Sequence, residues 1–394
     1  MKKLMTAAAS IALLAGMAHA EDVKLGISMG LTGPLESMAP SMVKGAEIAA
    51  KEVSDSGKFL GGSKVETVVV DNTCIDAAAS VAAVERLITS DKVNGIVGGM
   101  CSGETIASVE KVAVPNGMVM ISPSATSPAL TDITDNGFFF RTSPSDARQG
   151  EVMADLALER GVKSVAITYT NNDYGKGLAE AFKAAYEAKG GQVTTISAHD
   201  DGKADYSAEV AALSAAGGDA LVVAGYVDQG GSGIMRAALD TGAFSKFILP
   251  DGMVTNALET KFGSEIDGSF GQSPSSEGEG KDKFMEIAKT NGIDGSDQYA
   301  GESYDAAALI LLAMEAAKSS DPKVYKDKIF DVANGPGEPI LPGELAKGLE
   351  LLAAGTDIDY VGATAVELVE PGESAGQYRE VEIKDGKLNV VKMR

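Results

Sequence analysis

Residues Val93–Pro123 read VNGIVGGMCSGETIASVEKVAVPNGMVMISP. Two short strand-like runs, Val93–Val97 and Met118–Ile121, are stopped by residues that end strands, Gly98-Gly99 and Pro123. Between them, Gly103–Val114 has helical spacing. Strands that are apolar throughout, with a helix between them, belong to a parallel sheet covered on both faces. The pattern extends toward the N-terminus. Val23–Met29 is strand-like and ends at Gly30, Met42–Ser56 is an amphipathic helix stopped by Gly57, Val65–Asp71 is a strand with Val68-Val69-Val70 expected to be buried on both faces, and Ala77–Thr89 is helical.

Past Thr142-Ser143-Pro144-Ser145 the alternation restarts. Helices are expected at Asp146–Arg160, Gly175–Lys189, Tyr206–Ala216 and Gly233–Leu239, and strands at Ser164–Tyr169, Gln192–Ser197, Ala220–Ala224 and Lys246–Leu249. The fold class is therefore α/β, with two doubly wound parallel-sheet domains, and 394 residues is too long for one small core. Gly268–Gly280, rich in Gly, Ser and Pro, reads as a loop or crossover. The helices Lys281–Thr290 and Gln298–Lys318 are assigned back to the first domain. Signals weaken from Gly335 onward, although Tyr378–Ile383 and Leu388–Lys392 alternate like strands.

Lys2-Lys3, the apolar run Leu4–Met17 and Ala18-His19-Ala20 form a secretory leader over residues 1–20, with cleavage expected after Ala20. The apolar run is too short for a membrane span, and no cysteine follows the cut to carry a lipid. A secreted, periplasmic location is expected. Loss of the two lysines takes the formal charge from −22 to −24. So acidic a surface repels phosphate backbones and argues against nucleic acid as a partner. Cys74 and Cys101 are the only cysteines. In an oxidising compartment such a pair reads most simply as a disulfide worth about 3–4 kcal/mol, and two buried free thiols are the other reading. His199 is the only histidine beyond the leader, so neither a metal site nor a cofactor is expected.

In an open parallel sheet, ligands bind beyond the carboxyl ends of the strands. In the first domain those loops carry Ser102, Ser124, Ala125 and Thr126, hydroxyls and amides suited to a carboxylate. In the second they carry Tyr226 and Asp251, suited to an ammonium. Singly, Ser102 and Thr126 read as helix caps and Asp251 as a turn residue before Gly252. Together after strand ends they describe a zwitterion site.

Nine segments in order resemble the leucine/isoleucine/valine-binding proteins, the branched-chain amino-acid receptors of ABC importers. They are Ile27–Pro34 (ISMGLTGP), Val70–Asp76 (VDNTCID), Gly98–Ser102 (GGMCS), Ile121–Leu130 (ISPSATSPAL), Phe140–Ser143 (FRTS), Asn172–Leu178 (NDYGKGL), Ala224–Tyr226 (AGY), Pro250–Gly252 (PDG) and Ser303–Ala306 (SYDA). The resemblance implies a type I periplasmic binding protein, whose two lobes are joined by three crossovers and close on a ligand like a Venus flytrap. The lobes are expected over 21–142 plus 272–375 and over 143–271 plus 376–394. The resemblance also implies a Cys74–Cys101 disulfide. It places the ligand carboxylate on Ser102, Thr126 and the backbone at Ser124, and its ammonium on Tyr226 and Asp251. Tyr174 covers the ligand, and Met38, Met100 and Tyr304 shape the side-chain pocket. Two departures stand out. The ammonium-binding acid is usually glutamate and here is Asp251. Met38 stands where the group often has an aromatic ring, and a thioether makes a more forgiving wall. The segment 335–375 fits the pattern poorly.

The implied partners are a small amino-acid ligand and a membrane permease with its cytoplasmic ATPase, with the chain itself a monomer. Other ligands on the same fold would be an amide, urea or an aromatic acid, and a chemosensory receptor is a further reading. An enzyme is not expected. His199, read as a surface loop residue beside Asp200-Asp201, has no serine or cysteine partner signal, and Gly230–Gly233 lacks the dinucleotide fingerprint.

Overall fold

The computed structural model describes residues 21–394, so the expected leader lies outside the described residues. Strands β1 (Val23–Met29), β2 (Val65–Asp71), β3 (Gly95–Gly98), β4 (Met120–Ser122) and β5 (Phe139–Arg141) run parallel in one sheet. A second sheet holds the parallel strands β6 (Ser164–Thr170), β7 (Gln192–His199), β8 (Ala220–Ala224), β9 (Phe247–Leu249) and β10 (Phe270–Pro274). A small parallel pair, β11 (Glu338–Ile340) and β12 (Ile358–Tyr360), stands apart. The remaining strands close the edges. β13 (Leu368–Val369) and β14 (Glu373–Ser374) extend the first sheet beyond β5, and β15 (Tyr378–Lys384) and β16 (Lys387–Met393) extend the second beyond β10.

In the first sheet β1 lies between β2 and β3, and in the second β6 lies between β7 and β8. The chain therefore winds outward in both directions from β1 and from β6. That reversal leaves a crevice at the carboxyl ends of the central strands. The chain passes between the sheets at 142–145, 275–278 and 375–377. The helix Ala300–Ala317 is buried on all sides through Glu315 and packs on the helix Ala39–Ser56, as an all-round apolar helix must. No described helix is long and apolar enough to cross a membrane.

Three expectations are corrected. The Gly268–Gly280 region is not simply a crossover, because Phe270–Pro274 is a fully buried strand between β9 and β15. Its small residues misled the reading. A Cβ on Gly271 would lie 2.0 Å from Leu249 O, so the close approach of strands demands glycine there. The lobe boundary expected between 271 and 272 falls inside this strand. Next, Val68-Val69-Val70 are not buried on both faces. β2 is an edge strand, and of the three only Val70 is buried. Finally, His199 is not a surface loop residue. It ends β7, is 1% exposed, and its Nδ1 lies 2.8 Å from Thr168 Oγ1. Burial pushes its pKa down to about 4.

Candidate functional site

The first wall of the crevice is backbone held by buried charge. β3 stops at Gly98, where φ is +139° and a Cβ would sit 2.3 Å from Ser28 O, a turn open only to glycine. The loop that follows is gathered by Glu104, which is 2% exposed. Its Oε1 accepts from the N–H groups of Met100 (2.7 Å) and Cys101 (3.0 Å) and from Asn72 Nδ2 (3.0 Å), and its Oε2 accepts from Ser80 Oγ (2.7 Å). Burial pushes this carboxyl up to about 7 against those hydrogen bonds. The Cys74–Cys101 disulfide, with its Cα atoms 5.2 Å apart, ties the same loop to the one after β2.

The loop after β4 is braced from beneath by Arg141, which is 1% exposed and ion-paired with Glu373. Its guanidinium donates to the carbonyls of Ala125 (3.2 Å) and Ser127 (2.9 Å). Ser102 Oγ accepts from Ser127 N at 3.1 Å, which leaves its own O–H to donate outward. The Ser124 hydroxyl donates to Met100 O at 2.8 Å. The Thr126 hydroxyl donates to Asp146 Oδ2 at 2.9 Å.

The second wall is made of side chains. Asn172 caps the helix Asp173–Ala188, accepting from Gly175 N at 2.9 Å. This sets Tyr174 in the first turn, stacked on Tyr226 with centroids 5.0 Å apart. The Tyr174 hydroxyl donates to Asp251 Oδ1 at 2.6 Å and accepts from Gly252 N at 3.1 Å. The Tyr299 hydroxyl donates to the other Asp251 oxygen. Asp251 is 2% exposed. Burial raises its carboxyl above the usual range, and the two tyrosine hydroxyls pull it back.

The two walls face each other across a narrow cavity, with Met100, Ser102 and Ser124 on one side and Tyr174, Tyr226 and Asp251 on the other. Leu35 and Tyr299 complete it. The lobes are closed. Ser127 Oγ donates to Asp173 O (3.0 Å), Ser37 N to Asp228 Oδ2 (3.0 Å) and Asp228 N to Pro34 O (3.2 Å).

Of the residues singled out from sequence, the structure brings these six to one cavity. Ala125 and Thr126 stand behind it, fully buried. Two residues lie elsewhere. Tyr304 is turned into the first lobe, where its hydroxyl donates to Glu52 Oε2 at 2.6 Å and its ring packs on Phe284. Met38 lines a neighbouring groove with Gln298 and Arg379. Three residues that position the site were not among those singled out from sequence. Tyr299 holds a left-handed φ of +64°, a conformation costly for a non-glycine residue and concentrated at functional sites. Glu104 and Arg141 act from beneath the loops, although Arg141 sits inside the FRTS segment. Among the described residues, no group of His, Cys, Asp or Glu could hold a metal ion.

Two α/β lobes closed over a cavity at their strand ends define a solute-binding protein of the two-lobed kind. The chain belongs to the periplasmic binding protein family, whose model matches residues 22–329, and within it to the group of Leu/Ile/Val-binding proteins. A Leu/Ile/Val-binding protein homolog of Brucella melitensis is 30% identical over 354 residues, covering 86% of this chain and 92% of its own. The Leu/Ile/Val-binding protein of Escherichia coli is 28% identical over 340 residues, covering 82% and 90%. In fold, the chain is similar to a leucine-binding protein of Thermotoga maritima, with TM-score 0.79 at 23% identity, covering 94% of this chain and 98% of that one. It is also similar to a Rhodopseudomonas palustris solute-binding protein in complex with 4-hydroxybenzoate, with TM-score 0.77 at 21% identity, covering 95% and 97%.

Proposed function

We propose that this chain is the periplasmic receptor of an ABC importer and that it holds a branched-chain or other aliphatic amino acid between its lobes. The observation that carries the reading is Asp251, a buried carboxylate facing Ser102 across the interlobe cavity. An acid on one wall and hydroxyl and amide donors on the other match the ends of a zwitterion. Ser102 and the backbone at Ser124–Thr126 take the ligand carboxylate, Asp251 and Tyr226 the ammonium, and Tyr174 covers it. Met100 shapes the pocket for the side chain. The relatives bear Leu/Ile/Val-binding names, which supports the ligand class. In this reading the leader is cleaved after Ala20, the mature chain works as a monomer, and the closed form is what a membrane permease with its cytoplasmic ATPase receives. The protein binds and releases its ligand without chemistry.

The test is a melting-shift panel on mature protein that has been unfolded and refolded to strip carried ligand. A ligand at a hundred times its Kd adds about 2.7 kcal/mol of stability. Shifts with aliphatic amino acids are expected. Shifts only with acids lacking an ammonium, such as 4-hydroxybenzoate, would keep the receptor role and remove Asp251 from the place given to it.

A further inference from the structure

Beside the ligand cavity lies a second interlobe space, a groove of about 220 Å³. Met38, Asp297 and Gln298 line it from the first lobe, and Val254, Arg379 and Val390 from the second. Gln298 is the partition between the two spaces and is 7% exposed. Its Nε2 donates to Asp251 O at 2.9 Å. A carbonyl can only accept, so this bond fixes which end of the amide is which. The other end, Oε1, is buried and has no partner among the described residues. A buried acceptor left unpaired is rare and costly, and this one belongs to a residue of the groove.

The groove also carries one charge of each sign. Arg379 spends Nε on Ser273 Oγ (2.9 Å) and Nη1 on Ser296 O (3.4 Å). Among the described residues it forms no salt bridge, and Glu302, Asp297 and Asp294 meet its charge only at longer range. Asp297 Oδ2 accepts the Ser41 hydroxyl, and Asp297 likewise forms no salt bridge among the described residues. A lone anion entering here meets three acids, and a lone cation meets Arg379 with Lys281 nearby. A solute that bears both charges satisfies both walls, and Met38, Val254 and Val390 offer apolar surface to the rest of it.

We propose that this groove is a second subsite, which takes a small zwitterionic amino acid with its carboxylate on Arg379 and its ammonium on Asp297 and Gln298 Oε1. Its walls come from both lobes, so an occupant holds the closed form. A ligand in the cavity, by closing the lobes, in turn completes the groove. The coupling between the two places is positive and reciprocal. The groove's own groups select its occupant, whatever the cavity holds, so the proposal goes beyond the reading above.

Equilibrium dialysis of the refolded mature protein against labelled leucine tests it. Two molecules per chain are expected at saturation, one tight and one weaker. Val390 is 57% exposed, so Val390→Glu spares the fold and puts a carboxylate into the groove that Arg379 lines. It is expected to remove the weaker equivalent and keep the tight one, and Arg379→Gln to do the same. Should Arg379→Gln not fold, Val390→Glu decides alone. A weaker equivalent that survives either substitution overturns the proposal, as does a single equivalent that Val390→Glu leaves in place. A single equivalent that Val390→Glu abolishes would mean that the groove takes an amino acid and the cavity does not, so the two readings fail separately. 4-Methylpentanoate, which has leucine's side chain and carboxylate without the ammonium, should not displace the weaker equivalent. Displacement as effective as leucine's own would make the groove an anion site and overturn the zwitterion class proposed for it.

Discussion

The two walls of the cavity are built by opposite means. The first is backbone and small hydroxyls, each loop fixed by a buried charge of its own lobe, Glu104 under one and Arg141 under the other. The second is long side chains converging on Asp251. Tyr174 comes from the same lobe, and Tyr299 precedes the helix that packs in the other. The bonds from Glu104 and Arg141 that hold the first wall lie within one lobe and need no closure, so its donors are expected to be ordered before a ligand arrives and to cost little to use. The second is complete only on closure, because the Tyr299–Asp251 bond spans the lobes. A trap needs both parts, a fixed face that orients the ligand and a face whose last contacts form when the jaws meet.

If this division holds, the largest effect on affinity belongs to the closing wall. Asp251→Asn keeps the shape but leaves the ligand ammonium facing a neutral amide. A loss of about 2–5 kcal/mol in amino-acid binding is expected by calorimetry, with little change in the melting point of the free protein. A large loss of stability with unchanged affinity would place Asp251 in the framework instead.

The fixed wall is sharpened by pH. The Glu104 carboxyl is raised from 4.5 to about 7 by burial. Its folded form therefore holds a proton that its unfolded form has lost between those values. Its contribution to stability is full below about 4.5 and is lost as the pH rises through about 7. Across that window the unmodified protein is expected to lose roughly 1–3 kcal/mol from this group. Glu104→Gln, which cannot ionise, should flatten the slope in a melting series, and an unaltered slope would assign it to Glu302 and Asp305, which are raised to about 7 and about 6.

How much of this was legible beforehand follows from the same contrast. The parallel sheets could be read because β3 and β8 are apolar throughout and β1 and β6 carry apolar runs, and an edge strand such as β2 misled for the same reason, since Val68–Val70 look alike whether or not a neighbour covers them. β10 was illegible because Gly271 and Ser273 record close packing, and composition reports that as a loop. In the site, Ser102, Tyr226 and Asp251 were found because they follow strand ends. Tyr299 follows none, and its role comes from a left-handed backbone and from a partner 48 positions away. Tyr304 was placed by its motif, and it was the partner Glu52, 252 positions away, that turned it elsewhere.

Tyr299 tests whether closure itself is the source of affinity. Tyr299→Phe keeps the ring in the cavity and removes one hydrogen bond to a charged group, worth about 1.5–3 kcal/mol within the closed state. Part of that is recovered, because Asp251 keeps the Tyr174 hydroxyl, so a net loss of about 1 kcal/mol in affinity is expected. The loss should appear as faster release with the association rate unchanged, since the bond forms after encounter. Stopped-flow kinetics read this directly. A slower association with unaltered release would mean that Tyr299 orders the open site, and the distinction between a fixed and a closing wall would no longer stand.

The smallest effect is expected at Met38, and it separates the cavity from the groove beside it. Met38 is 6% exposed and packs where Gln298 and Arg379 line that groove, away from the space around Asp251. Met38→Ala should cost the fold about 2 kcal/mol or more as a buried truncation, visible as a lower melting point. Its effect on amino-acid affinity should stay below about 0.5 kcal/mol, because no cavity-lining atom is removed. A change of ligand preference in this variant, longer side chains gaining over shorter ones, would show that the groove and the cavity merge when a ligand is bound. The Gln298 amide, whose Nε2 donates to Asp251 O at 2.9 Å, is then the partition that has to move.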